Sequence, residues 1–185
     1  MEKIALRFWQ HGFKTITFTI SLGLFLTSFH GWAQDFNAGV RGGSSFDSPQ
    51  GHFYQVEAFA GWNGPWRWNV CSKWILRPAV DVSEGGLSGL GASGFAGTLG
   101  RVVELRYGTF PVYLEGGTSP TYLSRYVFNS IDFGERFQFT SHIALQWDVT
   151  KNFTVGLRLQ HMSDAGIAEP NPGLNTEMLS LQYNF

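Results

Sequence analysis

The sequence predicts an all-β protein, an eight-stranded antiparallel transmembrane barrel of the outer-membrane type. Three observations carry this. Eight segments alternate apolar and polar residues with period two, so each offers one greasy face, as strands do. They match or exceed the 9–11 residues that cross a bilayer at a tilt. Glycine and aromatics are abundant and charge is sparse, yet mean hydropathy is near zero. Helical membrane proteins are far more apolar, whereas barrels hide their hydrophobicity in alternation.

Residues 1–33 read as a secretory signal peptide. Lys3, Arg7 and Lys14 supply positive charge, Ile16 to Leu26 forms the apolar stretch, and Gly31-Trp32-Ala33 fits a small-x-small cleavage site. The apolar run is too short, and too broken by Ser and Thr, for a transmembrane helix. The expected mature domain is 34–185. Losing three bases and one acid leaves it weakly acidic, at about −3, which argues against nucleic acid, whose binders cluster basic residues. Cys71 is the only cysteine, so an internal disulfide is excluded, and no Cys/His spacing suggests zinc.

The expected strands are 36–46, 52–63, 72–84, 93–107, 110–124, 135–149, 152–163 and 175–185. In the second, Tyr54, Val56, Ala58, Ala60 and Trp62 oppose Gln55, Glu57 and Gly61. In the third, Trp74, Leu76, Val80 and Val82 oppose Arg77 and Asp81. In the fourth, Leu99, Val103, Leu105 and Tyr107 oppose Glu104 and Arg106, with Arg101 on the apolar side. The sixth is clearest: Phe137, Phe139, Ile143, Leu145 and Trp147 face one way, and Arg136, Gln138, Thr140, His142, Gln146 and Asp148 the other. The eighth ends Leu179-Ser180-Leu181-Gln182-Tyr183-Asn184-Phe185, alternating to a terminal aromatic, as the last strand of an outer-membrane barrel does. Gly85-Gly86 and Gly116-Gly117 read as turns or bulges rather than phosphate loops.

A soluble sandwich also alternates. The barrel is preferred because polar faces carry both signs of charge (Glu57, Arg77, Asp81, Glu104, Arg106, Glu115, Arg158), as a packed ionic lumen would. Aromatics also gather near strand ends, at Trp62, Trp66, Trp68, Trp74, Tyr122 and Trp147, as interfacial girdles do.

The seventh segment carries the chemistry. Ser163, His161, Leu159, Leu157, Val155 and Phe153 share one face, so a nucleophile and a base continue a lipid-facing stripe. With both termini in the periplasm, this end is the extracellular rim. Asn175 and Glu177 open the eighth strand on its outward parity, within reach of His161 across the pair. A Ser, a His and an acid or amide can form a hydrolase: His takes the Ser proton, and the third group fixes the tautomer. Backbone N–H groups of Ala165 and Gly166, with the Asn171 amide, can hold an oxyanion. By itself a Ser-His pair at a strand end is ordinary interfacial polarity, and Asn171-Pro172-Gly173 is a good turn.

The stretch His161-Met162-Ser163-Asp164-Ala165-Gly166-Ile167, followed by Pro170-Asn171-Pro172-Gly173, resembles the motif of PagL-type lipid A 3-O-deacylases over some 25 residues. That resemblance implies an outer-membrane barrel whose substrate is lipid A of lipopolysaccharide, cleaved at the ester-linked 3-hydroxyacyl chain without metal or organic cofactor. It implies Ser163 as nucleophile, His161 as base, and Ala165, Gly166 and Asn171 as oxyanion donors. The sequence departs from the family at Asp164, where the motif has Asn, placing a carboxylate beside the nucleophile. The third member is open: ungapped counting selects Asn175, a two-residue longer loop selects Glu177, and the stronger charge of a carboxylate favours Glu177. A monomer is expected, with a dimer as the alternative. The competing functions are a non-catalytic small barrel serving envelope stability or adhesion, and an acyl hydrolase of phospholipid.

Overall fold

The computed structural model describes residues 35–46 and 51–185; the expected signal segment lies outside them. The strands are β1 (Phe36–Ser45), β2 (Phe53–Asn63), β3 (Trp68–Cys71), β4 (Trp74–Gly89), β5 (Ala92–Tyr107) and β6 (Val112–Leu123). They continue as β7 (Val127–Phe128), β8 (Ile131–Asp132), β9 (Phe137–Asp148), β10 (Phe153–Ser163) and β11 (Leu174–Asn184). Eight of these close a barrel in the order β2-β1-β11-β10-β9-β6-β5-β4, with β4 pairing back onto β2. Every pair is antiparallel between chain neighbours, and β1 meets β11 from Asn37↔Asn184 to Ser45↔Thr176. No barrel edge is left unpaired, which is what a strand structure in lipid requires.

Period-two alternation decides which way each residue points. Along β9 exposure alternates at every step from Phe137 to Trp147. Val56, Leu99, Ile143, Leu145, Leu157 and Leu179 are exposed on the outer wall. Inward, Arg41 Nε donates to Glu57 Oε2 at 2.6 Å and Arg41 Nη2 to Asp81 Oδ1 at 3.3 Å. Arg106 spans Glu104 (2.8 Å) and Asp148 (2.9 Å) and stacks its guanidinium 3.4 Å from the centre of the Tyr113 ring. Arg158 donates to Gln160 at 3.0 Å, and Gln160 donates to Gln55 at 3.1 Å. Both signs of charge thus neutralise one another inside the wall.

Seven of the eight expected segments end within two residues of the strands; the third runs five residues further, to Gly89. Its glycine pair is not a turn. Gly85 and Gly86 pair in unbroken register with Glu57 and Val56 on one side and Ala96 and Phe95 on the other. A Cβ on Gly85 would run into the Val56 carbonyl, so glycine there permits close strand approach. Gly116 and Gly117 likewise pair in register with Ile143 and His142. The turn lies at Leu90-Gly91, both with positive φ (53° and 76°), the two-residue hairpin geometry that matches strand twist.

The interior is not ionic throughout. Phe53, Leu87, Ala96, Leu123, Phe128, Ile131, Phe133, Met162 and Leu174 form a buried apolar plug. They come from the β4–β5 and β10–β11 end of the barrel and from the β7–β8 hairpin folded over it. Phe53 meets Phe128 and Phe133 edge-on, with centroids 5.4 and 5.6 Å apart. Met162 and Leu174 tie this plug to the strand pair that carries the candidate site. At the opposite end stand Trp62 with Trp66 and Trp74 with Tyr107 (centroids 6.1 and 5.1 Å).

Candidate active site on the outer wall

The β10–β11 register places His161 directly opposite Asn175. His161 is exposed on the outer wall and Ser163 is half-buried at the end of β10. His161 Nδ1 lies 2.8 Å from Asn175 Oδ1. The amide oxygen can only accept, so in the neutral imidazole Nδ1 carries the proton and Nε2 keeps its lone pair. That is the tautomer a general base needs. Glu177 stands one pleat along the same face, opposite Leu159 on β10 and Ser44 on β1. Of the two candidate third members, Asn175 rather than Glu177 makes the bond to the imidazole, because a directly opposed pair is closer than a diagonal one.

Ser163 and His161 do not hydrogen-bond to each other. They are successive residues on one face, and such pairs are often long until substrate binds. Gly173, which has φ +66°, lies against the ring of His161. A Cβ there would stand 2.9 Å from His161 Cε1 and 3.6 Å from Nε2. Gly173 therefore serves the imidazole as well as the turn.

The loop Asp164–Gly173 is organised by Asp164, whose side chain is fully buried. Its Oδ1 accepts from Gly166 N at 2.8 Å and its Oδ2 from Ala168 N at 2.9 Å. Its own N–H donates to Asn171 Oδ1 at 3.3 Å. The carboxylate is turned into the loop, away from the face of Ser163, so it does not stand beside the Ser163 side chain as the sequence suggested. The same bonds alter the expected oxyanion set: the Gly166 N–H is already donated, whereas Ala165 N–H and Asn171 Nδ2 make no hydrogen bond among the described residues. Ala165 and Gly166 both have positive φ (59° and 78°), so the chain turns tightly just beyond Ser163.

The β7–β8 side buttresses this loop. Gly134 (φ +83°) packs so closely that a Cβ would stand 2.8 Å from Pro170 O and 2.9 Å from Asp164 Oδ2. Gly134 and the structural role of Asp164 were not recognised from sequence. Among the described residues no group of three or more His, Cys, Asp or Glu side chains could hold a metal ion.

Fold and site together define a barrel of the outer-membrane type carrying a hydrolase-like Ser, His and amide on its outer wall. The family model described as "Lipid A 3-O-deacylase (PagL)" matches residues 54–184. The chain belongs to that family. It is 42% identical over 73 residues to "Lipid A deacylase PagL" of Bordetella bronchiseptica, a stretch covering 40% of this chain and 41% of that relative. The crystal structure of the outer membrane enzyme PagL superposes with a TM-score of 0.68 at 20% identity, covering 80% of this chain and 99% of that one. The barrel architecture is shared.

Proposed function

We propose that the chain is an outer-membrane esterase that removes the 3-O-linked 3-hydroxyacyl chain of lipid A. The observation that carries this is the 2.8 Å His161–Asn175 bond on the outward face, one pleat from Ser163 and continuous with the apolar wall. Ser163 Oγ attacks the ester carbonyl while His161 Nε2 takes its proton. Asn175 holds the imidazole and the imidazolium that forms. Ala165 N–H and Asn171 Nδ2 donate to the tetrahedral oxyanion. His161 then protonates the departing sugar oxygen, leaving an acyl-serine. Water, deprotonated by the same imidazole, releases the 3-hydroxy fatty acid and restores Ser163.

In this reading the site end faces the outer leaflet, where the ester linkages of lipid A meet the apolar wall. The acyl chain lies along Leu159, Leu157 and Leu179, so the lipid never leaves the membrane. Mass spectrometry of lipid A tests it directly. Cells making the protein should lose one 3-hydroxyacyl unit, and cells making Ser163→Ala should not. Unchanged lipid A from cells with a correctly assembled wild-type barrel would sink the esterase and leave a non-catalytic barrel. Release of glycerophospholipid acyl chains alone would make it a phospholipid hydrolase.

A further inference from the structure

A polar row crosses the apolar surface of the outer wall below the rim. Arg101 on β5 pairs with Thr118 on β6, Thr118 with Ser141 on β9, and Ser141 with His161 on β10. Arg101, Thr118, Ser141 and His161 are all exposed, and Thr118 Oγ1 lies 3.1 Å from Ser141 Oγ. Around them the wall is greasy: Val80, Leu99, Val103, Phe139, Ile143 and Leu159 are all exposed. Among the described residues, no carboxylate or aromatic ring pairs with Arg101. A charge on a lipid-facing wall is penalised more the deeper it lies, so such residues mark function.

We propose that Arg101, with Thr118 and Ser141, forms a track that binds a phosphate of the glycolipid while its scissile ester lies at Ser163. The proposal rests on the esterase reading above and names how the substrate is held. Arg101 and His161 are three strands apart, about 14 Å between backbones. In a glycerophospholipid the phosphate and both esters hang from one glycerol, only a few bonds apart. A phosphorylated disaccharide places a phosphate a sugar ring or more from the reacting ester, which suits the wider span. Arg101 begins deeper in the wall than the site, and its long stem lets the guanidinium rise to headgroup level. There its planar fork matches phosphate bidentately. The two hydroxyls between can donate to acyl carbonyl or hydroxyl oxygens of the same lipid.

The test measures equilibrium binding in detergent micelles on the Ser163→Ala barrel, so that no turnover intervenes. The probes are lipid A with its phosphates, the same lipid A after their removal, and phosphatidylglycerol. Adding Arg101→Gln should weaken the phosphorylated lipid A about tenfold or more and leave the other two unchanged. Arg101→Lys should recover part of the loss. Unchanged affinity for phosphorylated lipid A, or an equal loss for the dephosphorylated form, overturns the track. An equal loss for phosphatidylglycerol reduces it to general attraction for anionic lipid and also overturns it. Turnover by the wild type is read separately: an inert barrel that still shows the phosphate-selective loss sinks the esterase and leaves the track standing.

Discussion

Asn175 Oδ1 accepts from His161 Nδ1 at 2.8 Å across the β10–β11 pair, while Glu177 lies one pleat away opposite Leu159. In the proposed reaction the neutral amide, not the carboxylate, orients the base. Asn175→Ala should therefore lower kcat by about 100-fold or more, by analogy with losing the orienting member of a triad. Glu177→Gln should change it by less than about threefold, because one diagonal charge at an exposed position contributes little. Asn175→Asp should keep most activity, since it preserves the acceptor. Steady-state deacylation in mixed micelles reads all three, and the reverse ranking would transfer the role to Glu177.

Gly173→Ala should strike the same imidazole from the other side. The residue holds φ +66°, which costs an L-residue about 1–2 kcal/mol. The added methyl would also meet His161 Cε1 at 2.9 Å. Activity should fall at least about tenfold, since displacing a catalytic group by a fraction of its position is costly. Heat-modifiable gel migration should still report a closed barrel. Full activity in this variant would show that the ring is not held by Gly173.

Most of the barrel was legible because a membrane wall enforces period two residue by residue, and a one-residue slip would turn every face inside out. Leu99, Ile143 and Leu157 could therefore be assigned outward from sequence. The apolar plug was not legible: Phe53 and Leu87 share parity with Gln55 and Ser83, and only the hairpin folded over that end explains why the lumen becomes apolar. Ser163, His161 and Asn175 could be grouped by parity and register. Choosing between Asn175 and Glu177 needed the actual pairing, since both share one face. The place of Asp164 was not legible, because it adjoins Ser163 in the chain and only the folded loop shows its carboxylate buried against Gly166 and Ala168 N–H. Ser141 shares the outward parity of Phe139 and Ile143 but was not singled out from sequence, because its link to Arg101 and His161 needs three strand registers.

Asp164→Ala should loosen the loop rather than remove a reacting group. The buried carboxylate accepts from two backbone N–H groups, at 2.8 and 2.9 Å. Charge-assisted bonds contribute about 1.5–3 kcal/mol each, so the loop from Asp164 to Gly173 should become far more accessible to protease. Deacylation should fall with it, as Ala165 and Asn171 lose their fixed positions. Asp164→Asn should be milder, because its amide keeps one acceptor and turns a donor towards the other N–H. Limited proteolysis of the folded barrel distinguishes the two, and equal protection of Asp164→Ala and wild type would remove Asp164 as organiser.

The apolar plug offers a paired test of how the barrel interior supports the wall. Phe53 and Phe133 are both essentially unexposed (0% and 1%) and touch edge-on at 5.6 Å. Truncating either to Ala should cost about 3–5 kcal/mol through lost burial and the cavity left behind, lowering the temperature at which gel migration shifts by similar amounts. Their effects on catalysis should differ. Phe133 precedes Gly134, whose backbone packs against Asp164 and Pro170 of the Asp164–Gly173 loop. Phe53 opens β2, and the atoms nearest Gly134 belong to Asp164, Ala168 and Pro170 rather than to it. Well below the transition, Phe133→Ala should reduce kcat several-fold and Phe53→Ala should leave it nearly unchanged. Equal kcat losses would mean that the plug supports the site as one body, and equal retention would mean that Gly134 holds its place without Phe133.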